Sequence, residues 1–184
     1  MPYPTAEDLR LRLRLPEPFS AAEEATADLL IDLAAGAIEE EAGQALLEST
    51  DTVVLDGNGT ARLVLPRWPV TAIASVTEDG DLLVPGRDQD YTWSSAGILH
   101  RRGRRCWPCE EQILEVEYTA GHNPVPAGLR RIVLRLAAGA WGNPGSLSSE
   151  TLGDHARSWA SAADAGMELS EADKRTVSAY RART

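Results

Sequence analysis

Hydrophobic periodicity changes twice along this chain, and that switch limits its architecture more than any single motif. Up to about residue 47 the apolar residues recur at helical spacing, from about 48 to 123 they alternate, and after Pro124 the helical spacing returns. A pattern with a period near 3.6 does not settle as a strand, nor one with a period of two as a helix. The expected fold class is therefore α+β, with helices on either side of a small antiparallel β module. Its segments are 1–47 (two N-terminal helices), 48–123 (the β-rich insert) and 124–184 (a central helix, an irregular stretch and a C-terminal helix).

Helix boundaries are marked by capping residues. Thr5 with Asp8 opens a first helix, and Ser20 with Glu23 opens a longer one that runs to about Gly43, with Pro16 and Pro18 between them. On the second helix Leu29, Leu30, Leu33, Ala37 and Ile38 form the expected buried stripe, with Glu24, Asp28 and Asp32 on another face. The central helix carries Leu129, Ile132, Val133, Leu136, Ala137, Ala140 and Trp141 at steps of three and four, with Arg130, Arg131 and Arg135 off that stripe. Trp141 is expected to pack against the helix around Leu30 and Leu33. Asn143-Pro144-Gly145 ends it, Ser146 to Gly166 has no clear period, and Ser170 with Asp173 opens a last helix presenting Val177 and Tyr180.

The insert reads as a series of short strands. Asp56-Gly-Asn-Gly59 between Thr52–Leu55 and Ala61–Leu65 is a hairpin-turn signature. Thr71–Thr77 leads through Asp79-Gly80 into Leu82–Val84, and Tyr91–Trp93 faces Ile98–His100. Ile113–Tyr118 alternates cleanly, with Leu114, Val116 and Tyr118 on one side and Glu115 and Glu117 on the other.

Charge narrows the function classes. The 184 residues carry 28 acids against 18 bases, a formal net charge of −10, and the first 92 residues hold 18 of those acids with only 6 bases. A nucleic-acid binder that gains affinity by counterion release should be basic or show a basic face. The reverse holds here, apart from a local cluster of Arg101, Arg102, Arg104 and Arg105. That cluster suits a solvated turn, a partner for acids nearby or the acidic surface of a neighbouring subunit. The longest stretch free of Asp, Glu, Lys and Arg runs from Leu136 to Ser149, shorter than the roughly 20 apolar residues a membrane span needs. The opening Met-Pro-Tyr-Pro-Thr-Ala-Glu-Asp has no basic start or apolar run, so a secretory signal is not expected.

Cys106-Trp-Pro-Cys109 is the one string that suggests chemistry. A redox dithiol wants its first cysteine at a helix N-terminus, where the dipole lowers the thiol pKa, but Arg-Arg-Gly-Arg-Arg precedes this pair and a strand follows it. A structural zinc site wants a second close pair of ligands, and only His100 and His122 are near. There is no phosphate-binding glycine loop and no nucleophile elbow; Glu39, Glu40 and Glu41 splay around their helix and cannot converge. No catalytic residue, metal or cofactor is expected, and the chain reads as a non-enzyme.

Several strings carry a family resemblance: Leu65-Pro-Arg-Trp-Pro-Val-Thr-Ala-Ile-Ala-Ser-Val76, Glu115-Val-Glu-Tyr-Thr-Ala-Gly121 and Val125-Pro-Ala-Gly-Leu-Arg-Arg131. Asn143-Pro-Gly-Ser-Leu-Ser-Ser-Glu-Thr-Leu-Gly-Asp154 and the closing Leu169–Tyr180 helix add to it. With the order of segments, they resemble the head–tail connector (head-to-tail adaptor) proteins of tailed bacteriophages. The resemblance implies a small helical bundle with an antiparallel β insert between the second helix and the central helix, in a structural virion protein assembled in the host cytoplasm into a dodecameric ring. Such a ring joins the portal to the next neck or tail component and passes DNA without sequence-specific binding. It also places partner docking in the irregular stretch, at Leu147, Glu150, Leu152, Asp154 and Trp159. Cys106 and Cys109 lie outside the family pattern. Competing readings are a metal or redox module built on that pair, and another neck component such as a stopper or tail-completion protein.

Overall fold

The computed structural model describes residues 3–143, 149–152, 155–158 and 167–182. The fold is α+β, and the chain divides into two units: a helical one, Met1–Gly43 with Pro124–Arg181, and a β unit, Gln44–Asn123 with Ala182–Thr184.

The helical unit contains α1 (Ala6–Leu13), α2 (Ala21–Ala42), α3 (Ala127–Gly142) and α4 (Glu171–Ser178). Three of the four open on reciprocal capping boxes, Thr5 with Asp8, Ser20 with Glu23 and Ser170 with Asp173, each satisfying orphan N–H groups of the first turn. Helix α3 starts instead after Pro126 with no side-chain cap, and α2 stops at Gly43 in the left-handed conformation. The α3 stripe Leu129, Ile132, Val133, Leu136 and Ala137 is buried as its spacing requires, and Val177 of α4 joins this core.

Helix α2 keeps part of its sequence reading: of the expected stripe Ile38 is buried and Leu30 and Ala37 are half-buried. Its buried positions are Ala27, Ile31, Ala34, Ala35, Ile38 and Ala42, whereas Leu29 and Leu33 are 57% and 52% exposed. Two stripes compete on this helix, one rich in leucine and one rich in alanine. The alanine stripe lies inward because small side chains let helix backbones approach closely, and Ile31 and Ile38 fill the remaining space. Trp141 is half-buried and stacks on Phe19, ring centroids 4.8 Å apart. Ion pairs tie the flanks: Arg135 to Asp173 at 2.5 Å, Arg130 to Asp8 at 3.7 Å and Arg181 to Glu41 at 2.8 Å.

Seven strands build the β unit: β1 (Ser49–Leu55), β2 (Arg62–Val64), β3 (Val70–Glu78), β4 (Asp81–Leu82), β5 (Tyr91–Ser94), β6 (Ile98–Arg101) and β7 (Leu114–Ala120). They form two antiparallel sheets, ordered β1-β7-β3-β4 and β2-β6-β5. Strand β7 is the axis of the larger sheet, burying Leu114, Val116, Tyr118 and Ala120 and exposing Glu115 and Glu117. These meet Leu63, Leu65, Val76, Tyr91, Leu99 and Trp107 in one core shared by both sheets. Arg67 closes one end: its guanidinium donates to the Leu47 and Ala120 carbonyls at 3.0 and 3.1 Å and pairs with Asp51.

The hairpin expected across Asp56–Gly59 does not form. Strand β1 pairs with β7 along its whole length and β2 pairs with β6, so the two lie in different sheets. The turn residues spend their hydrogen bonds elsewhere: Gly57 N–H donates to the Glu110 carbonyl at 2.8 Å, and Gly59 N–H to the Pro108 carbonyl at 3.1 Å. A Cβ on Gly57 would stand 2.0 Å from the Pro108 carbonyl oxygen, so this glycine permits a backbone approach between loops. Asp79-Gly80, with both φ positive, does make the tight turn expected between β3 and β4.

The stretch read as irregular after α3 contains a further hairpin, β8 (Ser149–Leu152) with β9 (His155–Ser158), in register from Ser149↔Ser158 to Leu152↔His155. The two residues between them are Gly-Asp, a two-residue hairpin signal that the lack of apolar alternation obscures.

Candidate interaction surfaces

The arginine cluster splits once folded. Arg101 lies at the end of β6 with its side chain 6% exposed, 3.2 Å from Glu78 and 3.9 Å from Asp90, and its guanidinium sits 5.2 Å from the Trp107 ring centroid. It is an internal residue of the β unit, held by two carboxylates and an aromatic face, and so presents no charge to a neighbour. Arg102 donates to the Arg87 carbonyl at 2.9 Å, and Arg105 reaches Asp90 at 3.4 Å while staying largely exposed. Arg104 is exposed. Three of the four arginines thus remain at the surface.

Cys106 and Cys109 are free, exposed thiols on a loop, and no helix begins there. Between them Trp107 is 1% exposed and fills the β core. The motif thus turns its indole inward and its sulfurs outward, the arrangement of an anchored loop. Among the described residues no group of three or more His, Cys, Asp or Glu side chains is placed to hold a metal ion. Of the expected docking residues, Glu150 and Leu152 belong to β8, while Leu147, Asp154 and Trp159 lie outside the described residues.

His122, read from sequence only as a possible metal ligand, is half-buried, and burial lowers its pKa below the ordinary 6.5. Its backbone holds the start of the β unit, accepting from Glu48 N–H and donating to the Leu46 carbonyl. The folded state therefore favours the neutral ring, and the unfolded chain binds the proton more readily. Stability from this group is complete above about pH 6.5 and falls as pH drops toward the lower folded pKa. Urea titrations from pH 7.5 to 5 should show that decline, and His122→Gln should flatten it.

Two surfaces of the helical unit were not read from the sequence as sites. A groove of about 700 Å³ is lined by Arg12 of α1, by Ala127, Arg130, Arg131, Ile132, Leu134 and Arg135 of α3, and by Ser170 and Asp173 at the start of α4. Four arginines face one aspartate there. On α2, Leu29 and Leu33 stand exposed beside Glu24, Asp28 and Asp32, which are also exposed, and the helix has seven acids and no base. The sequence signal for the first was the off-stripe arginines of α3. For the second it was the leucine stripe itself, assigned to the wrong side.

What these surfaces offer is contact: charge, exposed apolar side chains and rigid helices, the equipment of a structural assembly protein. The chain matches the head completion protein family over residues 6–137, and it belongs to that family. Among curated proteins none matches. Solved structures share the fold. One is a chain from the neck of an empty gene transfer agent particle computed with C6 symmetry, 20% identical, TM-score 0.56, covering 81% of this chain and 80% of that one. A second is from the virion of a native gene transfer agent particle, 18% identical, TM-score 0.57, covering 97% and 89%. A third, from the neck of a native particle computed with C12 symmetry, is 18% identical, TM-score 0.53, covering 74% and 78%. Among the described residues no helix is long and apolar enough to cross a membrane.

Proposed function

We propose that this protein is a head–tail adaptor, a structural component of the neck of a tailed-phage-like particle. Copies form a ring, dodecameric as in the family the sequence resembles, that joins the portal to the next neck or tail component. The observation that carries this reading is the family match across most of the chain, residues 6–137. That the structural neighbours come from necks computed with C6 and C12 symmetry supports the ring. The charge supports DNA passage: at −10 per copy a ring repels phosphates, so a genome slides through its centre without adhering. Assembly takes place in the host cytoplasm, before the particle is complete.

Docking belongs to the run holding Leu147, Glu150, Leu152, Asp154 and Trp159, part of which forms the β8–β9 hairpin. A hairpin carried on the chain after α3 suits strand addition to a partner, in which backbone hydrogen bonds supply affinity. The test is co-expression with a cognate portal protein, followed by mass photometry and negative-stain imaging. Rings seated on the portal are expected, and deletion of Ser148–Ala160 should abolish attachment without unfolding the rest. A chain that stays monomeric with the portal would overturn the adaptor reading. Binding only to a later component would give the stopper or tail-completion alternative.

A further inference from the structure

The arginine groove and the outer face of α2 are complementary, yet one copy cannot bring them together. Helix α2 turns Ala27, Ile31, Ala34, Ala35 and Ile38 inward and contributes no residue to the groove lining. A surface and its complement placed apart on one chain are what a head-to-tail contact requires. We propose that the groove seats the outer face of α2 from a second copy, so that each copy gives its α2 to one neighbour and its groove to the other. The inference rests on the ring reading and names the surfaces that would close the ring.

The chemistry fits in three respects. Asp28 and Asp32 are one helical turn apart, about 6 Å along the axis, and so are Arg131 and Arg135 across the groove. Arg12 and Arg131 are exposed and make no ion pair among the described residues, leaving their forks open to carboxylates from outside. Arg130 and Arg135 are held in place by Asp8 and Asp173, so their charge is positioned before a partner arrives. Leu29 and Leu33, more than half exposed, would bring apolar area against Leu134 and Ala127.

Two variants test the contact: Asp28→Arg/Asp32→Arg, which turns the exposed face of Glu24, Asp28 and Asp32 net positive, and Arg12→Glu/Arg131→Glu, which turns the groove net negative. Each alone sets like charge against like charge, and its assembled fraction should fall about tenfold or more by mass photometry, with circular dichroism unchanged. Mixed in equal amounts they become complementary again at every contact. Rings alternating the two variants should then re-form. Assembly of either variant alone at the wild-type level would overturn the proposed contact while leaving the ring reading intact, as would a folded mixture that fails to assemble. Equally, if the groove variant lost retention of short DNA with its oligomeric state unchanged, the groove would serve nucleic acid and the proposal would fall. A wild-type chain that is monomeric both alone and with its portal would instead overturn the ring reading itself.

Discussion

Trp107→Ala should lower the stability of the β unit by about 3–5 kcal/mol, the range for deleting a buried large aromatic side chain. The indole is 1% exposed and packs with Leu63, Leu99 and Tyr91 in the core shared by both sheets. Its loss also uncovers one side of the buried Arg101 guanidinium, whose remaining partners are Glu78 and Asp90. Two controls give the result its meaning. Trp107→Phe should keep most of the stability, because the indole Nε1 makes no hydrogen bond among the described residues and its contribution is packing. Cys106→Ser/Cys109→Ser should change stability by less than about 0.5 kcal/mol, as expected of exposed positions. Ring assembly in the double serine variant should match wild type, whereas a metal or redox module would lose its function. Chemical denaturation monitored by strand circular dichroism reads all three.

How much of the molecule was legible in the sequence depends on whether a signal was local. Capping boxes close within four residues, so Thr5, Ser20 and Ser170 marked their helices directly. The alternation of β7 and the Asp79-Gly80 turn are equally local. Asp56-Gly-Asn-Gly59 is not: its glycines are needed for an approach to Pro108 and Glu110, some fifty residues on, and no turn rule distinguishes that use from a hairpin. The arginine run was legible in part: pairing with nearby acids was expected, but not which arginine turns inward. Four charged residues close in sequence look like one patch, but period-two geometry sent Arg101 inward, where Glu78, Asp90 and Trp107 receive it. The off-stripe arginines of α3 became a site only when α1 and α4 were folded beside them.

The second large effect separates the two stripes of α2. Ile38→Ala should destabilise the helical unit by about 2–5 kcal/mol, since Ile38 is fully buried and its removal leaves a cavity between helices. Leu33→Ala, on the leucine stripe that hydropathy alone would have placed in the core, should cost less than about 0.5 kcal/mol in the isolated chain. Thermal unfolding followed by helix circular dichroism checks both, and a large loss at Leu33 in the monomer would mean that α2 is rotated from the orientation described. The contrast reaches beyond folding. A helix that exposes Leu29 and Leu33 to water while burying alanines gives up hydrophobic stabilisation that the opposite rotation would have gained. Such an arrangement makes physical sense when the leucines are covered in an assembly. Leu29→Ser/Leu33→Ser should therefore leave the monomer as stable as wild type and weaken association between copies, the reverse of the pattern expected at Ile38.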